Sequence, residues 1–127
     1  MSVQQIMTAD ETGEKLVKFA DETADKLVRA SLTRAQIRNI FTEVRQIESL
    51  WGMNRADALR RLNMLKPKLA YQTARTPQMK DLQSVLSEAI TLVSNAASDD
   101  EKDQRFERFM DLFEAILAYH RAKGGRN

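Results

Sequence analysis

Apolar residues recur at intervals of three and four along most of this chain, the spacing that places them on one side of an α-helix. No stretch alternates apolar and polar residues as a half-buried strand does. Five such stripes predict five helices. The first would run from about Glu11 to Ala30, with a narrow, alanine-rich face between charged sides. We expect this helix to be solvated and the least securely held of the five.

Local signals at both ends define the second predicted helix. Thr33 and Gln36 have the spacing of a capping box, in which each side chain bonds the backbone N–H of the other residue. Leu32 and Ile37 flank that box at the positions of a hydrophobic staple. Gly52 follows the apolar stripe, as glycine commonly does just past a helix end. The sequence therefore predicts a helix that begins after Thr33 and ends near Gly52.

The third predicted helix contains a proline. Asn54 is suited to cap its start. Pro67 lies within the helix, where it has no N–H to donate to the carbonyl of Asn63 and its ring crowds that carbonyl. We therefore expect one helix, kinked at Pro67 and ending near Arg75, in preference to two separate helices.

Capping patterns also begin the last two predicted helices. Thr76 followed by Pro77 is a cap followed by proline at the first helical position, which predicts a fourth helix over about residues 77–96. Ser98 and Glu101 have the spacing of a second capping box. They begin a fifth predicted helix, rich in phenylalanine, that ends before Gly124.

Length and composition favour one domain. The chain has 127 residues, 43% of them hydrophobic, which is enough apolar material for a single core. The predicted fold is an all-α, single-domain bundle of about five helices spanning residues 1–127. Residues 1–10 and 124–127 are expected to be flexible.

The same composition indicates a compartment. The chain has no cysteine, which excludes disulfides and thiolate metal sites and fits a reducing environment. No apolar run approaches the roughly 18–20 residues that a membrane span needs. The N-terminus lacks the basic-then-apolar pattern of a signal peptide. We expect a soluble, cytoplasmic protein that does not enter a membrane.

Few residues are suited to catalysis. His120 is the one histidine and the only candidate general base, and its position near the end of the fifth helix favours a partly buried structural role. The acids that begin this helix do not have the spacing of a calcium loop; they are Asp99, Asp100, Glu101 and Asp103. We predict no enzymatic activity, no metal site and no cofactor.

Positive charge is concentrated in one stretch of the chain. Residues 55–80 contain seven basic residues and one acid, whereas the whole chain has a net charge of +2. On a continuous third helix the residues that fall seven apart share a face; they are Arg61, Lys68 and Arg75. On the second helix a further basic set lies beside the core stripe: Arg34, Arg38 and Arg45. If the two helices pack together, they present one continuous basic surface.

A continuous basic surface fits a polyanion, although a merely solvated surface is the alternative. Nothing resembles a base-reading recognition helix, so we expect sequence-independent, salt-sensitive contact with phosphates. Tyr71 could stack on a base, but an aromatic residue close to Leu69 is more often part of the core. The methionines fit either an interface or gaps in the core; they are Met53, Met64 and Met79.

Three stretches carry a resemblance to a known family. They are LTRAQIR from Leu32 to Arg38, LKPKLAYQTAR from Leu65 to Arg75, and FMDLFEAILAYHRAKGG from Phe109 to Gly125. In these stretches the chain resembles the small subunit of type III-A CRISPR (Csm) effector complexes. Ala74 stands where the family pattern has glycine, and Arg121 stands where lysine is more usual.

The resemblance implies an all-α, non-catalytic subunit that acts in antiviral defence. Such a subunit self-associates in stacked copies, contacts other subunits of the complex, and lines the channel that holds guide RNA and target RNA. The RNA-binding residues that it implies are Lys66, Lys68 and Arg75, followed by Arg38 and Arg61. The alternative is a homodimeric helical adaptor or an antitoxin-like DNA-binding protein.

Overall fold

The computed structural model describes residues 2–127, which form six α-helices and one 3₁₀ turn. The elements in chain order are α1 (Val3–Ala9), α2 (Glu14–Arg29), α3 (Arg34–Trp51), α4 (Arg55–Arg75), the 3₁₀ turn (Pro77–Met79), α5 (Lys80–Ser94) and α6 (Asp99–Ala122). No strand occurs within these residues, so the predicted all-α class is confirmed. There are six helices where about five were predicted.

Helices α3 to α6 pack around a shared core. Helix α3 packs against α4, α4 against α5, and α5 against α6. Helix α3 also contacts α6, which closes the ring of four helices. Helix α2 packs along α6, and α1 lies against α5 and α6. The core of α6 is aromatic: the ring of Phe113 meets that of Phe41 edge-on, and the ring of Phe106 stacks on that of Trp51 with centroids 4.1 Å apart.

The N-terminal segment differs from its predicted flexible state. Residues Val3–Ala9 form α1, which begins with a capping box between Ser2 and Gln5. The side chains of Ile6 and Met7 are completely buried. Arg108 on α6 also donates a hydrogen bond of 2.9 Å to the carbonyl of Met7. A helix of this length is not stable alone in water, so tertiary contacts hold it in place.

Helix α2 is more deeply packed than its sequence suggested. Its narrow face is buried along α6, including Leu16, Ala20, Ala24 and Leu27. The expectation of a solvated, loosely held helix was wrong because it did not consider how closely alanine-rich faces can pack. Small side chains let two helices approach closely, so a narrow stripe still buries an extended contact.

Three of the predicted helix starts have the expected side-chain caps. The Thr33–Gln36 capping box is complete, and Asn54 accepts a hydrogen bond from the N–H of Asp57. Ser98 likewise accepts from the N–H of Glu101. The carboxylate of Glu101, however, accepts from the N–H of Ala97, one residue earlier than a capping box requires.

Thr76 and Pro77 hold the predicted cap and first positions, but they begin a 3₁₀ turn and not an α-helix. The Thr76 side chain makes no capping hydrogen bond, and the chain forms the 3₁₀ turn Pro77–Met79 before α5 begins at Lys80. Helix α4, in contrast, runs without interruption through Pro67 and ends at Arg75, as predicted. The kink at Pro67 stays a prediction.

The C-terminal residues pack against the domain. Gly125 is buried against the ring of His120, and the carbonyl of Arg126 accepts a hydrogen bond from the N–H of Arg34. The segment expected to be a flexible tail therefore contacts the start of α3. None of the helices in residues 2–127 combines the length and the apolar character that crossing a lipid bilayer requires.

Candidate nucleic-acid interface

Three of the predicted site residues lie in a row along the groove between α3 and α4. Arg61 donates to the side-chain oxygen of Gln46 over 3.3 Å, and the Lys68 ammonium lies 2.6 Å from a carboxylate oxygen of Glu43. Arg75, at the end of α4, lines a cleft shared with the first turns of α3. All three side chains are on the flank of α4 that faces α3. We call Arg61, Lys68 and Arg75 the α4 basic row.

Lys66 lies on the other flank of α4. Its ammonium donates a hydrogen bond of 2.7 Å to the hydroxyl of Thr91 on α5, and the residue is half-buried. Two residues correspond to about 200° of rotation on a helix, so Lys66 and Lys68 point to opposite sides. The structure therefore separates Lys66 from the α4 basic row, although the two residues are near neighbours in sequence.

Arg38 belongs to a second basic cluster, on the far side of α3. A pocket of about 630 Å³ between α3 and α6 has four arginines in its lining. They are Arg34, Arg38, Arg45 and Arg121, and we call them the arginine pocket. Sequence periodicity predicted the first three on one face, but it missed Arg121, which tertiary packing brings in from α6.

The two clusters flank the exposed outer side of α3. Ala35 and Thr42 are exposed on that side, with the α4 basic row beyond one edge and the arginine pocket beyond the other. The basic surface predicted from sequence is thus divided into two rows by the width of one helix.

Acidic residues outside α4 pair with part of this positive charge. Glu43 pairs with Lys68, and Glu48 and Glu114 pair with Arg45. The sequence window around α4 has few acids, but the fold supplies partners from elsewhere. Exposed pairs of this kind contribute at most about 1 kcal/mol, so a phosphate can compete with the carboxylates.

Arg55 is also held by carboxylates and is not free to bind an external anion. Its guanidinium makes two hydrogen bonds of 2.7 Å to Asp103, and Asp103 also accepts a hydrogen bond of 2.7 Å from the indole N–H of Trp51. The hydrogen bonds from Arg55 and then from Trp51 hold the pKa of Asp103 below its usual range. This cluster ties the end of α3 and the start of α4 to α6.

Tyr71 is exposed, contrary to the expectation that it belongs to the core. Its exposed fraction is 63%. The guanidinium carbon of Arg75 lies 5.8 Å from the centre of its ring, within the range of a cation–π contact. The methionines divide: Met79 is buried in the core, whereas Met53 and Met64 are exposed.

His120 is completely buried rather than partly buried, and its position explains its role. Its Nε2 lies 2.8 Å from the carbonyl oxygen of Leu32, to which it donates a hydrogen bond. The ring therefore ties α6 to the turn between α2 and α3, away from solvent. Within residues 2–127 no group of three or more side chains is arranged to hold a metal ion.

Comparison with known proteins places this sequence in a family. A family model described as Csm2 Type III-A matches residues 10–126, which contain α2 to α6 and all five predicted RNA-binding residues. Searches of curated proteins and of solved structures each found no match. Since the family model covers nearly the whole chain, this protein belongs to the Csm2 family, the small subunits of type III-A CRISPR effector complexes.

Proposed function

We propose that this subunit binds the sugar–phosphate backbone of guide and target RNA through the basic surface around α3. The observation that carries the proposal is the α4 basic row, Arg61, Lys68 and Arg75, which lines one groove at intervals of seven residues. Seven residues of helix span about 10.5 Å, so the row follows an extended strand rather than one phosphate. Arg38 and the arginine pocket offer a second line of contacts.

Lys66 has a smaller part in this proposal than its sequence position implied. Its hydrogen bond to Thr91 directs it toward α5, so it contacts RNA only if the strand also passes over that side of α4. Arginine forks and lysine point charges both suit phosphate oxygens, and neither reads base identity from this position. The binding is therefore expected to be independent of sequence.

The assembled complex supplies the affinity in this proposal. One basic row gathers few phosphates, whereas several copies aligned along one RNA bind with much greater avidity. We propose that the subunit self-associates in stacked copies, lines the RNA channel with other subunits in the cytoplasm, and carries out no catalysis itself. The burial of His120 supports a structural role for the one candidate base.

The salt dependence of RNA binding tests the basic row. For single strands, the slope of log affinity against log salt is about −0.7 per phosphate contacted. Replacing Arg61, Lys68 and Arg75 together with alanine should therefore flatten the slope for a single-stranded RNA by about 2. The measurement is fluorescence anisotropy over a salt series, with circular dichroism to verify the helical fold.

A matched control removes the same charge elsewhere. Lys15, Lys18 and Lys26 are exposed on α2, which packs against α6 and α5. The triple alanine variant at these positions should keep the wild-type slope. Equal slopes for both triple variants contradict the proposal, and a clear preference for duplex DNA of defined sequence supports the DNA-binding alternative instead.

A further inference from the structure

A cleft beside Tyr71 differs in character from the rest of the basic surface. It lies between the first turns of α3 and the last turns of α4 and encloses about 410 Å³. Its lining combines an exposed aromatic ring, an arginine and three side-chain amides: Tyr71, Arg75, Gln36, Asn39 and Gln72. A surface that only contacted phosphates would not need the ring or the amides.

The ring of Tyr71 is open to a planar ligand. The Arg75 guanidinium lies over the ring at 5.8 Å and its Nη1 atom lies 3.4 Å from the tyrosine hydroxyl, yet 63% of Tyr71 stays exposed. Base–aromatic stacking tolerates any base because every base has a π-face. Arg75 can add a second planar surface or bind the adjacent phosphate.

One amide has a fixed orientation. The side-chain oxygen of Gln36 accepts a hydrogen bond of 2.9 Å from the N–H of Thr33, as part of the capping box of α3. Its NH₂ group is therefore the end that remains available to an acceptor in the cleft. The same cap that begins α3 thus presents a hydrogen-bond donor beside Tyr71.

The cleft is continuous with the α4 basic row. Lys68 lies one turn before Gln72 on α4, and its partner Glu43 lies one turn beyond Asn39 on α3. A strand that contacts Arg61 and Lys68 through its phosphates therefore reaches the cleft at its next contact. The base site therefore depends on the α4 basic row, which holds the phosphates of the same strand.

We propose that this cleft holds one unpaired nucleobase of a single-stranded RNA segment, stacked on Tyr71 and hydrogen-bonded by the surrounding amides. This inference rests on the proposed RNA-backbone binding and adds to it a contact with a base. It makes Tyr71 part of the binding site, and it requires the bound strand to be unpaired at that nucleotide.

The test compares two RNAs that have the same phosphates. One probe is a short fluorescein-labelled oligouridine, and the other has the same length but abasic units in place of the nucleotides. Wild-type protein should bind the oligouridine about ten-fold more tightly, since stacking of one base is worth about 1–3 kcal/mol. Tyr71→Ala should remove most of this preference, and Tyr71→Phe should keep it.

Lys68→Ala is the matched control. Because Lys68 contacts a phosphate in this scheme, its replacement should lower the affinity for both probes by a similar factor. If Tyr71→Ala leaves the preference for oligouridine intact, or lowers the affinity for both probes equally, the proposed base site is contradicted while backbone binding stands. If wild-type protein prefers neither probe yet binds both, the base site is likewise overturned. If it binds neither at low salt, the proposed function fails as well.

Discussion

His120 connects three segments that are far apart in sequence. It lies near the end of α6, donates to the carbonyl of Leu32 in the turn before α3, and has Gly125 packed on its ring. The N–H of Gly125 returns to the carbonyl of His120 over 2.9 Å. These contacts fix the start of α3, where two residues of the arginine pocket lie.

Gly125→Ala should therefore destabilise the domain. A Cβ at this position would overlap the imidazole ring of His120, and overpacking of this kind costs about 1–3 kcal/mol. Gly52→Ala is the control, since a Cβ there has no neighbour within 4 Å and its φ of −70° suits any residue. Urea denaturation monitored by circular dichroism measures both, and equal midpoints for the two variants would contradict the expectation.

Two carboxylates of α6 have pKa values displaced in opposite directions. The pKa of Asp103 is lowered, first by its hydrogen bonds from Arg55 and then by the one from Trp51. The pKa of Asp111 is raised, first by burial and then by repulsion from the carboxylates of Glu107, Glu114 and Glu48. The ionised form is thus favoured in one case and disfavoured in the other.

Substitution with asparagine should have opposite effects on stability at the two positions. The stabilisation by ionised Asp103 is present above its unfolded pKa and is lost as the pH falls through the lower folded pKa. Asp103→Asn should therefore destabilise at pH 7 by on the order of 1 kcal/mol or less, because solvent screens this half-exposed pair.

Asp111→Asn should stabilise the domain at pH 7. Because the pKa of Asp111 is raised in the folded state, the fold favours its protonated form. The stability that this protonated form contributes is lost as the pH rises through the folded pKa. Unfolding free energies measured from pH 2 to pH 7 test the pair, and the two variants serve as controls for each other. A shift of the same sign in both at pH 7 would be inconsistent with the assigned causes.

At the scale of elements, α1 is part of the core although it is only seven residues long. Its residues Ile6 and Met7 are completely buried, and Arg108 holds its last turn. The family match begins at residue 10, so α1 precedes the matched region. Asp10 then connects it to α2 by accepting a hydrogen bond of 2.8 Å from the N–H of Leu16.

Ile6→Ala should thus lower the free energy of unfolding by about 2–5 kcal/mol, as large-to-small changes in a core do. Gln4→Ala is the control on the same helix, because Gln4 is exposed. Thermal or urea unfolding provides the comparison. If Ile6→Ala changes stability no more than Gln4→Ala, α1 is not an integral part of the domain.

The elements whose sequences contain their own boundaries were the ones predicted well. The caps at Thr33 and Asn54 and the end of α4 at Arg75 follow from residues within a few positions of each other. Thr76 precedes the helical segment as predicted, but its side chain makes no capping hydrogen bond and a 3₁₀ turn lies between it and α5. Helix α1 was missed although Ser2 and Gln5 have the spacing of a capping box, because so short a helix depends on its packing against α5 and α6.

At the scale of the whole molecule, charge is distributed unevenly despite the small net value. Basic side chains line the α3–α4 groove and the arginine pocket, whereas carboxylates gather where the end of α3 meets the middle of α6. The acidic group contains Glu48, Asp103, Glu107, Asp111 and Glu114. Glu114 also lines the arginine pocket, and Arg55 lies among these carboxylates, so the acidic group adjoins the basic surface.

The sequence by itself determined the helical class, most helix boundaries, the family and the basic character of α4. These follow from periodicity, capping and motif spacing, which act over one or two helical turns. It also placed Arg61, Lys68 and Arg75 on one face, because seven residues return to nearly the same side of a helix.

Only the tertiary structure decided which flanks those helices present and what each charged group meets. Packing α4 between α3 and α5 set Lys66 against Thr91, paired Lys68 with Glu43, and left Tyr71 exposed. It also brought Arg121 beside Arg38 and buried His120 under Gly125. These contacts join residues distant in the chain, and their geometry depends on how helices dock, which local sequence does not encode.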